Sequence, residues 1–286
     1  GADFTMTGGR IEAGYYAVSG NGNDNDASKE SVIEIKGGEL ISTADYVFYL
    51  PHTGKTTISG GTIVGAAGGV CIQRGILNIS GTADICSLGT GDTGDWSDGT
   101  GGKVNTALMV SAEYGDCTVN ISGGKLTAAK DLIFLKEKSN FQQNITVTGG
   151  TFSDASLLGY LGDNANVKVK MTADKSCGGF VTKSGQVVDI DLNQHTLTLV
   201  EPRVGSTGTE TNSCQLLKGS KVTFSNGKLQ STNADGIMIQ NYSDLLLKDV
   251  EVEDKKAQYV VSNNYGSCTV CLLYTSPSPR DRTRSR

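Results

Sequence analysis

The chain has 286 residues, with 25 Lys and Arg against 30 Asp and Glu and a formal net charge of −5. That length holds one large domain or two smaller ones, and no run approaches the roughly 18 apolar residues of a membrane span. Thirty-eight glycines against four prolines, with Ile, Val, Leu and Phe recurring at period two, exclude a disordered linker and predict many short strands joined by tight corners.

The first element sets the pattern. Residues 4–11 read Phe-Thr-Met-Thr-Gly-Gly-Arg-Ile: a short alternating strand, a Gly-Gly corner and a second short strand. Variants recur at 33–41, 56–64, 77–85, 117–128, 145–152 and 222–229. The first corner glycines, Gly8, Gly37, Gly60, Gly81, Gly123 and Gly149, are spaced by 29, 23, 21, 42 and 26 residues. A period in this range is the mark of a solenoid. Further strands are predicted at 15–18, 46–50, 70–73, 107–110 and 132–135, giving about three short strands per coil. Hairpins would instead show two-residue Asn-Gly or Asp-Gly turns between longer strands. Equivalent strands of successive coils are expected to stack in parallel about 4.8 Å apart, with the rest of each coil as the crossover.

Two stretches interrupt the spacing. Residues 21–26 (Asn-Gly-Asn-Asp-Asn-Asp) read as a turn built from Asx residues. Residues 89–105 enlarge one coil and hold Asp92, Asp95, Asp98 and the only tryptophan, Trp96. A long loop on a rigid scaffold is a reasonable place for binding, so Trp96 is a ligand candidate and the three aspartates are candidate calcium ligands. Their i, i+3, i+6 spacing is not that of an EF-hand loop, and a flexible solvated loop is the preferred reading. Tyr15, Tyr16, Tyr46, Phe48 and Tyr49 would stack sugars if they shared a face, but alternation predicts that most are core.

After Asp154 the pattern breaks. Residues 1–156 are read as a first array of coils, 157–186 as an irregular connection holding one strand at 167–171, and 187–270 as a second array in different wording. Cys268-Thr269-Val270 repeats the start of Cys117-Thr118-Val119, so a further coil is expected to begin there, with unpaired backbone at a strand edge that favours self-association. Residues 271–281, Cys-Leu-Leu-Tyr-Thr-Ser-Pro-Ser-Pro-Arg-Asp, match the translation of a sequencing-library adaptor codon by codon. Residues 271–286 are therefore set aside as a non-native tail. Without Arg280, Asp281, Arg282, Arg284 and Arg286 the chain keeps 21 basic and 29 acidic residues. A nucleic-acid surface needs clustered Lys and Arg, which excludes that partner. Cys71, Cys86, Cys117, Cys177, Cys214 and Cys268 show no Cys-x-x-Cys spacing, and buried thiols are the expected state for those inside strand patterns.

The Ile-Ser-Gly-Gly-Lys-Leu and Thr-Val-Thr-Gly-Gly-Thr-Phe coils, Gly-Tyr-Tyr-Ala-Val-Ser-Gly-Asn-Gly at 14–22, and Asp-Leu-Asn-Gln-His-Thr-Leu at 191–197 resemble right-handed parallel β-helix proteins of the pectate-lyase-like superfamily. They look most like repetitive adhesin-like surface proteins of gut bacteria and coils of phage structural proteins. The resemblance covers nearly all of residues 1–270 and implies an all-β, single-chain, right-handed parallel β-helix with coils of about 20–30 residues.

The superfamily includes polysaccharide lyases and hydrolases. The lyase motifs Trp-Ile-Asp-His and Arg-x-Pro-x-x-Arg are absent, and Arg10, Arg74 and Arg203 lie in unrelated coils. Asn233-Ala234-Asp235 resembles the Asn-Thr-Asp of polygalacturonases, but their Asp-Asp, Gly-His-Gly and Arg-Ile-Lys do not follow. Glycoside cleavage by acid and base needs two placed carboxyl groups, so Asp235 is the one weak catalytic candidate and reads more readily as a corner residue. His52 and His195 are the only histidines, and packing or a ladder contact is the expected role of His195. The expected function is a non-catalytic structural or adhesive β-solenoid, extracellular on a cell surface or on a virion. It would contact glycans or a host surface and need no cofactor unless the aspartates hold calcium. The alternative is a polysaccharide-active β-helix enzyme with a degenerate or missing site.

Overall fold

The computed structural model describes residues 1–20, 30–97, 102–137, 139–233 and 236–271. Fifteen strands form one long, almost wholly parallel sheet. Its first half contains β1 (Asp3–Met6), β2 (Arg10–Ala13), β4 (Ser31–Ser42), β6 (Gly54–Gly65), β8 (Gly75–Ile79), β9 (Asp84–Ser87), β11 (Cys117–Ala128) and β13 (Gln143–Phe152). The second half contains β14 (Leu161–Lys170), β15 (Lys175–Gly178), β17 (Val187–Asp191), β18 (Thr196–Val200), β21 (Lys221–Ser231), β23 (Asp244–Glu253) and β25 (Ser267–Cys271). A second sheet stacks β3 (Val18–Ser19), β5 (Tyr46–Leu50), β7 (Gly68–Ile72), β10 (Thr106–Val110) and β12 (Asp131–Leu135) in parallel. A third holds β16 (Phe180–Thr182), β20 (Thr209–Leu216), β22 (Ile237–Asn241) and β24 (Tyr259–Asn263), with β19 (Val204–Ser206) antiparallel to β20. The chain is thus an all-β parallel solenoid.

Its axis can be followed one side chain at a time. Ile11, Leu40, Ile63, Ile85, Leu126, Phe152, Val169, Ile190, Phe224, Leu247 and Val270 are partners in successive strand pairs, so one apolar ladder runs from the first coil to the last. The rungs from Leu40 to Leu247 are buried. Each rung covers the one before it at about 4.8 Å, so apolar area leaves water only when coils stack. One position earlier the ladder points outward and is polar: Arg10 meets Glu39 at 2.7 Å, and Lys125 meets Asp84 at 3.1 Å.

The corners follow from two separate demands on glycine. At Gly60 a Cβ would lie 2.5 Å from the Lys36 carbonyl of the coil beneath, so the first glycine permits close stacking. Gly61 has φ of 89°, which only glycine adopts without cost. In the later coils Asn226 and Asp249 take that conformation, with φ of 57° and 54°. Asn and Asp are the residues best able to replace glycine there.

Residues 157–186 carry the end of a 3-10 turn (Ser156–Tyr160) followed by β14, β15 and β16. Leu157 and Leu158 of that turn are buried, and β14 pairs with β13 on one side and β17 on the other. The long sheet therefore continues through this stretch. All seven cysteines are free thiols; Cys71, Cys117, Cys177 and Cys214 are buried, and burial pushes the Cys117 and Cys177 thiols up to about 12. No described helix is long and apolar enough to cross a membrane.

Candidate functional site

The enlarged coil builds a feature on the outside of the second sheet. Along that sheet's outer positions run Ser19, Tyr49, Cys71, Met109 and Phe134, in register from β3 to β12. Over them lies a second apolar cluster, separate from the axial core, made of Tyr46, Ala67, Cys71, Val104 and Met109 with Tyr16, Tyr49, Trp96 and Phe134 packed against it. Its roof is the described part of the 89–105 loop. Where the sequence predicts a flexible, solvated loop, the described residues of this one are bonded at several points.

Asp45, fully buried, accepts from the Tyr46 amide at 2.7 Å through Oδ1 and from the Asp95 amide at 3.1 Å through Oδ2. Burial holds its carboxyl above the usual range even against those two hydrogen bonds. Asn105 accepts from the Gly91 amide at 2.6 Å and donates to the Thr93 carbonyl at 2.6 Å. The Val104 amide donates to the Trp96 carbonyl at 2.8 Å, and Ser97 bridges Lys103 in antiparallel fashion. The Tyr46 hydroxyl donates to the Val104 carbonyl at 3.1 Å and lies 2.9 Å from Thr106 Oγ1. Two glycines let this packing close. A Cβ on Gly68 would strike the Tyr46 ring at 2.1 Å, and one on Gly94, at φ of 83°, would meet Ala67 Cβ at 2.6 Å.

Three aromatic rings are held face to face by this arrangement. Tyr16 stacks on Tyr49 with centroids 4.9 Å apart and planes 21° from parallel, and Tyr49 stacks on Trp96 at 5.9 Å and 25°. Tyr15 stands edge-on to Tyr16 at 6.4 Å and is 56% exposed. Burial pushes the Tyr16 phenol up to about 12, the Asp45 charge adds to this, and Asp95 acts on it in the same direction. Trp96 Nε1 lies near enough to the Tyr16 hydroxyl to favour its ionised form, yet completes no hydrogen bond of normal geometry.

The candidates picked out by sequence fall as follows. Trp96 is half-buried in the stack. Asp92 and Asp95 are exposed, with Asp92 Oδ1 accepting from the Thr90 hydroxyl at 3.1 Å and the Thr93 hydroxyl at 3.2 Å. Asp98 and Asp235 lie outside the described residues, as does the 21–26 turn. Among the described residues no group of three His, Cys, Asp or Glu side chains is placed to hold a metal ion. Of the five aromatics expected to be mostly core, Tyr46 and Phe48 are buried, whereas Tyr15, Tyr16 and Tyr49 are not. His52 is buried, and a Cβ on Gly20 would lie 1.7 Å from its Nδ1. Burial lowers its pKa. His195 is a surface residue with Nδ1 3.5 Å from Asp174. Asp45 and Asn105 were missed by sequence reasoning. Each is a single polar letter beside an apolar strand; Asp45 holds the loop through the Asp95 amide 50 residues on, whereas Asn105 braces it from within, 12 and 14 residues from its partners Thr93 and Gly91.

No protein-family model, curated protein or solved structure matches this chain.

Proposed function

We propose that this chain is a non-catalytic structural or adhesive β-solenoid of a cell surface or virion, similar in kind to right-handed pectate-lyase-like β-helices and repetitive adhesin-like proteins. It contacts glycans or a host surface through side chains fixed on its outer faces. The observation that carries this reading is the aromatic stack on the outside of the second sheet. Partly buried hydrogen bonds, one accepted by Asp45 from the Asp95 amide and one donated by Asn105 to the Thr93 carbonyl, fix this outer surface.

The test is turnover set against retention. Purified chain is incubated with polygalacturonate and with neutral polysaccharides, following ultraviolet absorbance of unsaturated uronates and release of reducing ends. The same preparation is passed over the insoluble polysaccharides. Retention without depolymerisation is expected. Depolymerisation of polygalacturonate, abolished by Asp235→Ala, would replace this reading with a polysaccharide-active enzyme.

A further inference from the structure

We propose that the patch formed by Tyr15, Tyr16 and Trp96 is a subsite for a neutral, hydroxyl-rich sugar ring, and that Asp92 and Asp95 turn uronates away from it. The proposal rests on the glycan-contacting reading above and names the class of glycan.

The argument begins with ring faces. An aromatic ring carries negative charge on its face and attracts polarised C–H groups. A pyranose with mostly equatorial hydroxyls presents such a face of C–H groups. Tyr49 has both Tyr16 and Trp96 stacked against it and Tyr15 stands edge-on to Tyr16, so the ring with most surface left for a ligand is Tyr15, with Tyr16 and Trp96 each partly exposed. Tyr15 leaves more than half of its surface in water beside a ring already immobilised. Trp96 is partly exposed while its Nε1 is buried, so its exposed part does not include the nitrogen.

Rigidity adds to this. Around Trp96 the loop is tied to the scaffold through Asp45, which accepts from the Asp95 amide, and is braced within itself by Asn105 and the Ser97–Lys103 bridge, so binding at Trp96 would order few additional groups. A preorganised platform loses less entropy on association than a mobile one.

Charge selects within the sugars. Asp95 adjoins Trp96 in the chain and is exposed, with its backbone amide fixed by Asp45 at 3.1 Å, and Asp92 is exposed on the same loop. Sugar hydroxyls donate to carboxylates in charge-assisted hydrogen bonds. A uronate carboxylate in the same place meets like charge, on a chain already at a formal −5.

The test uses the protein's own reporter, because Trp96 is the only tryptophan. Its fluorescence is titrated with cellohexaose, mannohexaose, hexagalacturonate and choline. A saturable change with at least one neutral hexasaccharide is expected, together with weaker binding of hexagalacturonate. Tyr15→Ala should weaken the neutral ligand about tenfold, the worth of one aromatic contact, while Tyr15→Phe retains it. Asp95→Asn should bring hexagalacturonate closer to the neutral sugar. An unchanged Trp96 emission maximum in each unliganded variant checks that the stack is intact. The proposal is overturned if neither neutral hexasaccharide changes the fluorescence, or if hexagalacturonate or choline binds as tightly as they do. It is equally overturned if Tyr15→Phe behaves like Tyr15→Ala. A silent fluorescence titration without polysaccharide turnover removes this subsite alone, whereas turnover removes the non-catalytic reading whatever the fluorescence shows.

Discussion

Up to Phe152 the corners of the solenoid are written with glycine pairs, apart from the single Gly81; beyond Val187 Asn and Asp take the positive-φ place. Gly9, Gly38, Gly61, Gly124 and Gly150 hold positive φ in the first region, and Asn193, Asn226 and Asp249 in the second. The strands on either side keep their register in both, so the corner is a backbone demand that several side chains meet. What differs is the margin. A glycine corner accepts a coil pressed directly on it, whereas Asn226 adds a side-chain hydrogen bond to Asp191 Oδ1 at 3.0 Å.

The largest effect in either region should come from the shared ladder. Phe152→Ala and Phe224→Ala each remove a fully buried rung and should each lower stability by about 3–5 kcal/mol in urea unfolding. Following the transition by both far-ultraviolet dichroism and Trp96 fluorescence sharpens the comparison. Equal shifts of the Trp96 signal, which reports the glycine region, are expected if neighbour-to-neighbour packing couples all coils. A Phe224→Ala shift seen only by dichroism would show that the two regions melt apart.

The corners come next. Gly60→Ala sets a methyl against a backbone carbonyl that cannot turn aside and should cost about 2–3 kcal/mol. Gly61→Ala should cost about 1–2 kcal/mol for the positive φ alone. Asn226→Gly trades one hydrogen bond for backbone freedom and should stay within about 1 kcal/mol of wild type. If Asn226→Gly costs as much as Gly61→Ala, the hydrogen bond is what the Asn226 corner depends on.

The smallest effect separates the histidines. Burial lowers the His52 pKa, so the folded state resists a proton that the unfolded chain accepts. The stability this withholds is intact above the unfolded value of about 6.5 and declines as pH falls below it. Melting temperature should therefore drop between about pH 7 and pH 5, and His52→Gln should flatten that slope. A slope unchanged in His52→Gln would assign it to other groups. The buried Asp45 carboxyl, with its raised pKa, acts in the opposite sense at lower pH, so the comparison stops near pH 5.

The scaffold was easier to read in the sequence than the patch on it. Alternating Ile, Val and Leu beside Gly-Gly corners announces a stacked coil, because each side chain's fate depends on neighbours a few positions away and on one repeated contact. The strand at 222–229 is legible by alternation even though its corner carries no glycine pair. The aromatic stack resisted the same reasoning. Tyr16, Tyr49 and Trp96 come from three separate coils, and period two assigns Tyr49 a side of its strand without showing that a loop would fold back to roof it. Glycine and aspartate dominate the composition of the bonded loop, which on that ground predicts a solvated segment. Its bonding comes from Asp45, which meets the Asp95 amide 50 residues along the chain, and from Asn105, which closes the loop on Gly91 and Thr93.

The unbroken ladder from Ile11 to Val270 also carries a hazard of self-similarity. Most rungs are branched aliphatic side chains, so a strand displaced by one entire coil would still meet apolar neighbours of the same kind as its own. The irregular parts remove that degeneracy. The Trp96 roof, the Ser156–Tyr160 turn and the β19–β20 hairpin each fit one level of the stack, and they serve as fiducial marks by which each coil finds its floor.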